Sequence, residues 1–269
     1  MTMSPRKRAR MFRGVQYALL VLVALLLVLL ADWGTVVDSF FNVEAARAQL
    51  PEIVTTALVN TVIYTALGFG LGLAAGFVLA LMKLSSVGPY RWLATVYIEF
   101  FRGVPALLVF IALGFGVPLA FEIRFDVYST AAIALGLVGS AYIAETLRAG
   151  IQAVPPGQVE AARSLGMSQS RATFTVVIPQ AFRIVLPPLT NELILLTKDS
   201  SLIYLLGLMR DEYELAKFGR EGLNATGSLT PILLAGLCYL IITVPLGYLS
   251  RSLERRSGRK AEKGLEVTA

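Results

Sequence analysis

From Val15 to Ala31 the chain runs for 17 residues without a charged side chain. At about 1.5 Å of rise per residue, a helix of that length just crosses roughly 30 Å of bilayer hydrocarbon. Four further stretches, 55–84, 103–119, 129–147 and 230–249, are apolar with almost no interruption. Backbone polar groups inside hydrocarbon must be satisfied within the segment, so these stretches are expected to be membrane-spanning helices. The first resembles a signal peptide in its basic start, but Ala31-Asp32-Trp33 is a poor cleavage site, and the run is read as a retained span.

A sixth span is less simple. Residues 174–208 are apolar enough to cross, yet carry Pro179, Arg183, Pro187, Pro188, Glu192, Lys198 and Asp199. The prolines are expected to break this helix, and the charges to face protein or water.

Six spans put both termini on one side of the membrane, and the basic residues choose the side. With the N-terminus inside, Arg6, Lys7, Arg8, Arg10, Arg13, Lys83, Arg91, Arg148, Arg163, Arg171 and six C-terminal cations are cytoplasmic, against Arg47, Arg124, Arg210, Lys217 and Arg220 outside. The net charge of +6 is therefore read as membrane topology, not as a nucleic-acid footprint. The outer segments 32–52, 122–126 and 210–227 hold ten acidic side chains, either solvated loops or a docking surface for an external partner.

With no histidine and a single cysteine, Cys238, the chain lacks the commonest general base and any thiolate cluster, so catalysis and metal binding have little support. GFGLGLAAG lacks the strand-turn-helix context of a phosphate loop, and no GxxxxGK[ST] occurs. Instead Gly68, Gly72, Gly76 and Ala80 put small side chains on one helical face, suited to close helix packing.

Candidate solute contacts lie along PPLTNELILLTKDSSL: Asn191, Glu192, Lys198, Asp199, Ser200 and Ser201. A broken helix with convergent polar groups can hold a small zwitterion near the midplane, while an ion pair fixing helix packing is the alternative for Lys198 and Asp199. Asn60 and Thr61 could likewise bond a neighbouring helix or a solute. Glu99 and Arg102, three apart, suit a helical ion pair.

GQVEAARSLGMS, 157–168, lies between two apolar segments. Pro155 and Pro156 end the preceding span, and proline suits the first turn of a new helix. Glu160 sits near its N-terminus, and Gly166 can supply the left-handed residue that ends it. So short a helix needs packing against something else.

These residues resemble the permease subunits of bacterial ATP-binding-cassette importers, whose cytoplasmic signature reads EAA, three residues, G, nine residues, I-x-L-P. Here it stands as Glu160-Ala161-Ala162, Gly166 and Val176-Val177-Ile178-Pro179. NTVIYT, FFRGVP, IPQAFRIVLPPLTNELI and KDSSL are similar to the polar-amino-acid branch, although Val104 replaces an expected threonine. The resemblance implies an all-α integral membrane fold, the type I importer transmembrane domain, with a five-helix core over residues 51–256. Residues 1–50 add a basic tail, an extra first span and an external segment; 257–269 form a cytoplasmic tail.

The resemblance further implies that Pro155, Gly157, Glu160, Ala161, Ala162, Arg163, Leu165 and Gly166 couple to a separate cytoplasmic ATPase dimer. That partner would hold ATP and Mg, with no cofactor on this chain. The other implied partners are a second permease chain, identical or related, an external solute-binding protein and a polar amino acid. The expected location is the bacterial inner membrane. An ion-gradient-driven secondary transporter of a small polar solute is the alternative, and the lack of an internal inverted repeat counts against it.

Overall fold

The computed structural model describes residues 5–266, with side chains described for residues 10–255. Arg6, Lys7, Arg8 and the tail cations from Arg256 onward lie outside the residues described at side-chain level.

Thirteen α-helices make up the described chain: α1 (Pro5–Leu30), α2 (Trp33–Phe40), α3 (Val43–Glu52), α4 (Val59–Leu84), α5 (Gly88–Gly103), α6 (Ala106–Ile111), α7 (Val117–Phe121), α8 (Val127–Gln152), α9 (Pro156–Ser164), α10 (Gln169–Ala172), α11 (Ile178–Asp199), α12 (Leu215–Thr226) and α13 (Thr230–Glu266). Among the described residues, five helical stretches are long and apolar enough to cross a membrane; α5 with α6–α7 is a sixth if that bent pair is one span. The bend is 102°. Its cause is local: Pro105 disfavours the helical region for the residue before it, and Val104 is extended at φ −89°, ψ 131°.

The bundle is built around α4 and α8. Gly68, Gly72, Gly76 and Ala80 are all buried on the face of α4 that meets α8. A β-carbon at Gly76 would lie 2.9 Å from the Ser140 carbonyl oxygen, so the two backbones approach as closely as glycine allows. Tyr64, Phe110, Leu135, Leu196 and Ile203 fill the adjoining core. By contrast, every residue of α1 from Arg10 to Leu30 is exposed, and the helix lies outside the packed bundle.

Two expectations are corrected. Pro187 and Pro188 do not break their helix: α11 runs unbroken from Ile178 to Asp199, and the break comes afterwards, in the 3-10 turn Ser200–Leu206. Each proline removes one N–H donor, but the helix is fastened by its surroundings: Val185, Pro187 and Leu189 are buried, and the Ser250 hydroxyl of α13 donates to the Pro187 carbonyl at 3.3 Å. Glu99 and Arg102 form no ion pair; the Arg102 guanidinium lies 5.7 Å from the ring centroid of Tyr142 on α8.

At the end of the bundle opposite α9, many polar groups are structural. Asp32, Asn42, Asp126 and Glu214 cap α2, α3, α8 and α12. Arg210 pairs with Glu52 at 2.6 Å, joining segments far apart in sequence. Much of the acidity of this end is thereby engaged in caps and pairs. Cys238 is buried beside Ala235 and Phe218.

Candidate functional site

The segment after α8 folds as its residues dictate. Pro155 is extended at φ −58°, ψ 132°, and Pro156 opens α9 where a missing N–H costs nothing. At the far end Gly166 takes φ +85°. Its N–H donates to Arg163 at 2.9 Å, and that of Met167 to Ala162 at 3.2 Å, the paired bonds of a Schellman cap. Ser168 then caps α10 through the Arg171 N–H at 3.3 Å.

One face of α9 is held. Ala162 is buried, and Val154, Val177 and Ala181, with Ile151 and Val159, form a small apolar seat linking the start of α9 to α11 and the turn preceding it. The other face is open: Gly157, Glu160, Ala161, Arg163 and Leu165 are exposed, Leu165 by 82%. Leu165, at the C-cap of α9, leaves an apolar side chain on this open face.

The α5–α6 bend, α8 and α11 line a cavity of about 390 Å³. Arg102, Gly103, Val104, Pro105 and Ala106 come from the bend, Val138, Gly139 and Tyr142 from α8, and Glu192, Leu195, Leu196 and Asp199 from α11. Glu192 and Asp199 are seven apart, two helical turns, and so share a face. Two carboxylates and one guanidinium therefore open onto one space.

A second cavity, also about 390 Å³, lies between α11 and α13 and is lined by Asn191, Ile194, Lys198, Thr243, Val244, Gly247, Tyr248, Ser250, Arg251 and Glu254. The candidate solute residues of α11 are thus divided. Glu192 and Asp199 face the first cavity; Asn191 and Lys198 face the second, so the Lys198–Asp199 ion pair does not form.

The remaining candidates are occupied elsewhere. The Asn60 amide donates to the carbonyls of Asp211 at 2.7 Å and Tyr213 at 3.1 Å, and Thr61 accepts the Leu215 N–H at 3.1 Å. Both tie the segment before α12 to α4 and line neither cavity. Ser200 is buried, donating to Thr197 at 2.7 Å, and Ser201 is half-buried in the 3-10 turn. Of this cavity's lining only Glu192 and Asp199 were sequence candidates; Arg102 and Tyr142 are the polar side chains that sequence reasoning missed. The Pro105 stop directly after Arg102 was the available signal, since a charge at a sharp bend inside a span must face protein or water.

Residues 68–259 match the family described as binding-protein-dependent transport system inner membrane component. The arginine transport system permease of Bacillus subtilis (strain 168) is 36% identical over 189 residues, covering 69% of this chain and 84% of the relative. The L-cystine transport system permease of the same organism is 35% identical over 214 residues, covering 78% and 89% respectively. Among solved structures, the crystal structure of an amino acid ABC transporter with histidines superposes with a TM-score of 0.69 at 34% identity, covering 77% of this chain and 94% of that one. The all-α fold is that of the type I importer transmembrane domain. With a match over most of its length, this chain belongs to the binding-protein-dependent transport system inner membrane component family, the permease subunits of ABC importers, in which ATP hydrolysis resides in a separate subunit.

Proposed function

We propose that the chain imports a polar amino acid as one of two permease subunits in a bacterial inner membrane, with both termini cytoplasmic. An external binding protein delivers the solute, and α9 docks on a cytoplasmic ATPase dimer that binds ATP and Mg. The coupling residues are Pro155, Gly157, Glu160, Ala161, Ala162, Arg163, Leu165 and Gly166. The permease core spans residues 51–256, with 1–50 an addition and 257–269 a tail.

The observation that carries this reading is the two-sided character of α9, seated through Val159 on Val154, Val177 and Ala181, with Ala162 buried, while Leu165 stands 82% exposed. A helix held on one face and open on the other transmits a push from outside into α8 and α11. The cavity at the α5–α6 bend supplies the solute path. Its carboxylates, Glu192 and Asp199, suit an ammonium group, and Arg102 suits a carboxylate, the two charges every amino acid carries. The arginine and cystine permeases among its relatives support amino acids as the solute class.

Reconstitution in proteoliposomes with the partner ATPase and binding protein tests this. Labelled amino acid should enter only with ATP and continue when ion gradients are collapsed. Uptake driven by a proton or sodium gradient without the ATPase would overturn it. A cysteine at position 165 should cross-link to the ATPase.

A further inference from the structure

One charged cluster belongs to neither cavity. Glu145, in the penultimate turn of α8, accepts from Lys83 at the end of α4, Nζ to Oε1 at 2.6 Å. Its other oxygen accepts from Arg148, Nε at 3.2 Å and Nη2 at 2.7 Å. Arg148 in turn donates through Nη1 to the Gln152 side chain at 2.5 Å. Gln152 is the last residue of α8, three before Pro155. The chain of contacts therefore runs from α4 across to α8 and down to the root of α9.

The cluster is half-buried, with side-chain exposures of 20% for Lys83 and Glu145 and 29% for Arg148. Both carboxylate oxygens accept charge-assisted hydrogen bonds, which are stronger than neutral ones. On the opposite side of the same turn, a β-carbon at Gly150 would overlap Val185 of α11, so α8 has no slack there. The end of α8 is thus fastened to α4 by charge and to α11 by contact.

We propose that Glu145 is a positioning residue for transport: it fastens the root of α9 to α4, so that displacement of α9 moves α4 and α8 as one body. The packed layer of Ala80 and Ala144 already joins the two helices just above; Glu145 carries that join into the last turns of α8, and without it part of the movement at the ATPase would be lost before reaching the solute cavity. The proposal rests on α9 being the coupling helix.

The test uses the reconstituted complex of permease, ATPase and binding protein, comparing wild type with Glu145→Gln, Lys83→Met, the double variant and Gly166→Val. The readout is amino acid taken up per ATP hydrolysed, normalised to assembled complex. Glu145→Gln is expected to lower this ratio by roughly fivefold, the lower range of ordinary coupling between sites, leaving the concentration dependence on loaded binding protein unchanged. Lys83→Met should lower it in the same direction, and the double variant should be no worse than Glu145→Gln, since both remove one link. Lys83→Met also supplies the answer if Glu145→Gln fails to assemble. An unchanged ratio in Glu145→Gln and Lys83→Met, or uptake and hydrolysis falling together with the amount of complex, would overturn the proposal. Additive losses in the double variant would also overturn it, because Lys83 would not be the partner through which Glu145 acts. If Gly166→Val keeps a normal ratio, the coupling role of α9 itself fails, a result distinct from failure of the Glu145 link.

Discussion

Lys198 and Asp199 are neighbours in sequence and open onto different cavities, Asp199 toward Arg102 and Tyr142, Lys198 toward Tyr248 and Arg251. Successive residues on a helix point about 100° apart, enough to divide a charged pair between two faces. On the proposed solute path through the first cavity, the two residues are expected to have separate roles. Asp199→Asn and Glu192→Gln should each weaken solute affinity by about tenfold, the loss of one charge-assisted contact, while Lys198→Met leaves it near wild type. Solute titration of uptake distinguishes them.

Gly166 meets no atom within 4 Å of where its β-carbon would lie, so its constraint is conformational, not steric crowding. At φ +85° a β-branched residue is strongly disfavoured, whereas asparagine tolerates the left-handed region. Gly166→Val should uncouple ATP hydrolysis from uptake, and Gly166→Asn should retain most transport. Equal activity of the two variants would remove the Schellman cap from the mechanism.

Gly76 and Gly70 lie on the same helix with opposite surroundings. A methyl at Gly76 would crowd the Ser140 carbonyl, whereas one at Gly70 meets nothing within 4 Å. Gly76→Ala should destabilise by about 1–3 kcal/mol through overpacking. Gly70→Ala should be neutral or stabilise by up to about 1 kcal/mol through helix propensity. Thermal unfolding in detergent reads both.

Glu214 is fully buried, accepting from the Ala216 and Lys217 N–H groups at 2.6 Å each and from the Tyr239 hydroxyl at 3.1 Å. Burial outweighs these donors and pushes its carboxyl up from 4.5 to about 7. Because the folded state holds the proton more tightly, this group's contribution to stability is full below about pH 4.5 and is lost as pH rises through about 7. The effect is on the order of 3 kcal/mol. Melting temperature should therefore climb as pH falls from 8 to 5, and Glu214→Gln should flatten that slope. An unaltered slope would assign the dependence to other groups.

Much of this molecule is local, and local features are legible. The apolar runs marked the long helices, except that 103–119 falls on α6–α7 beyond the 102° bend; Pro155, Pro156 and Gly166 bounded α9, and the spacing of Gly68, Gly72, Gly76 and Ala80 marked the face that meets α8. The paired prolines of α11 misled, because proline's local cost can be outweighed by packing against elements far away in sequence, here the burial of Val185, Pro187 and Leu189.

What composition, spacing and caps determined was that the chain crosses a membrane in helices, where those helices begin and end, and which short helix lies between two of them. Only the tertiary structure decided which polar side chains share a space. Arg102 pairs with a tyrosine on α8 rather than with Glu99, Asn60 and Thr61 are consumed by the segment before α12, and α11 turns Glu192 and Asp199 to one cavity and Asn191 and Lys198 to another. The physical reason is that a helix's own periodicity states which residues lie together on a face, but what that face meets depends on partners far away in sequence.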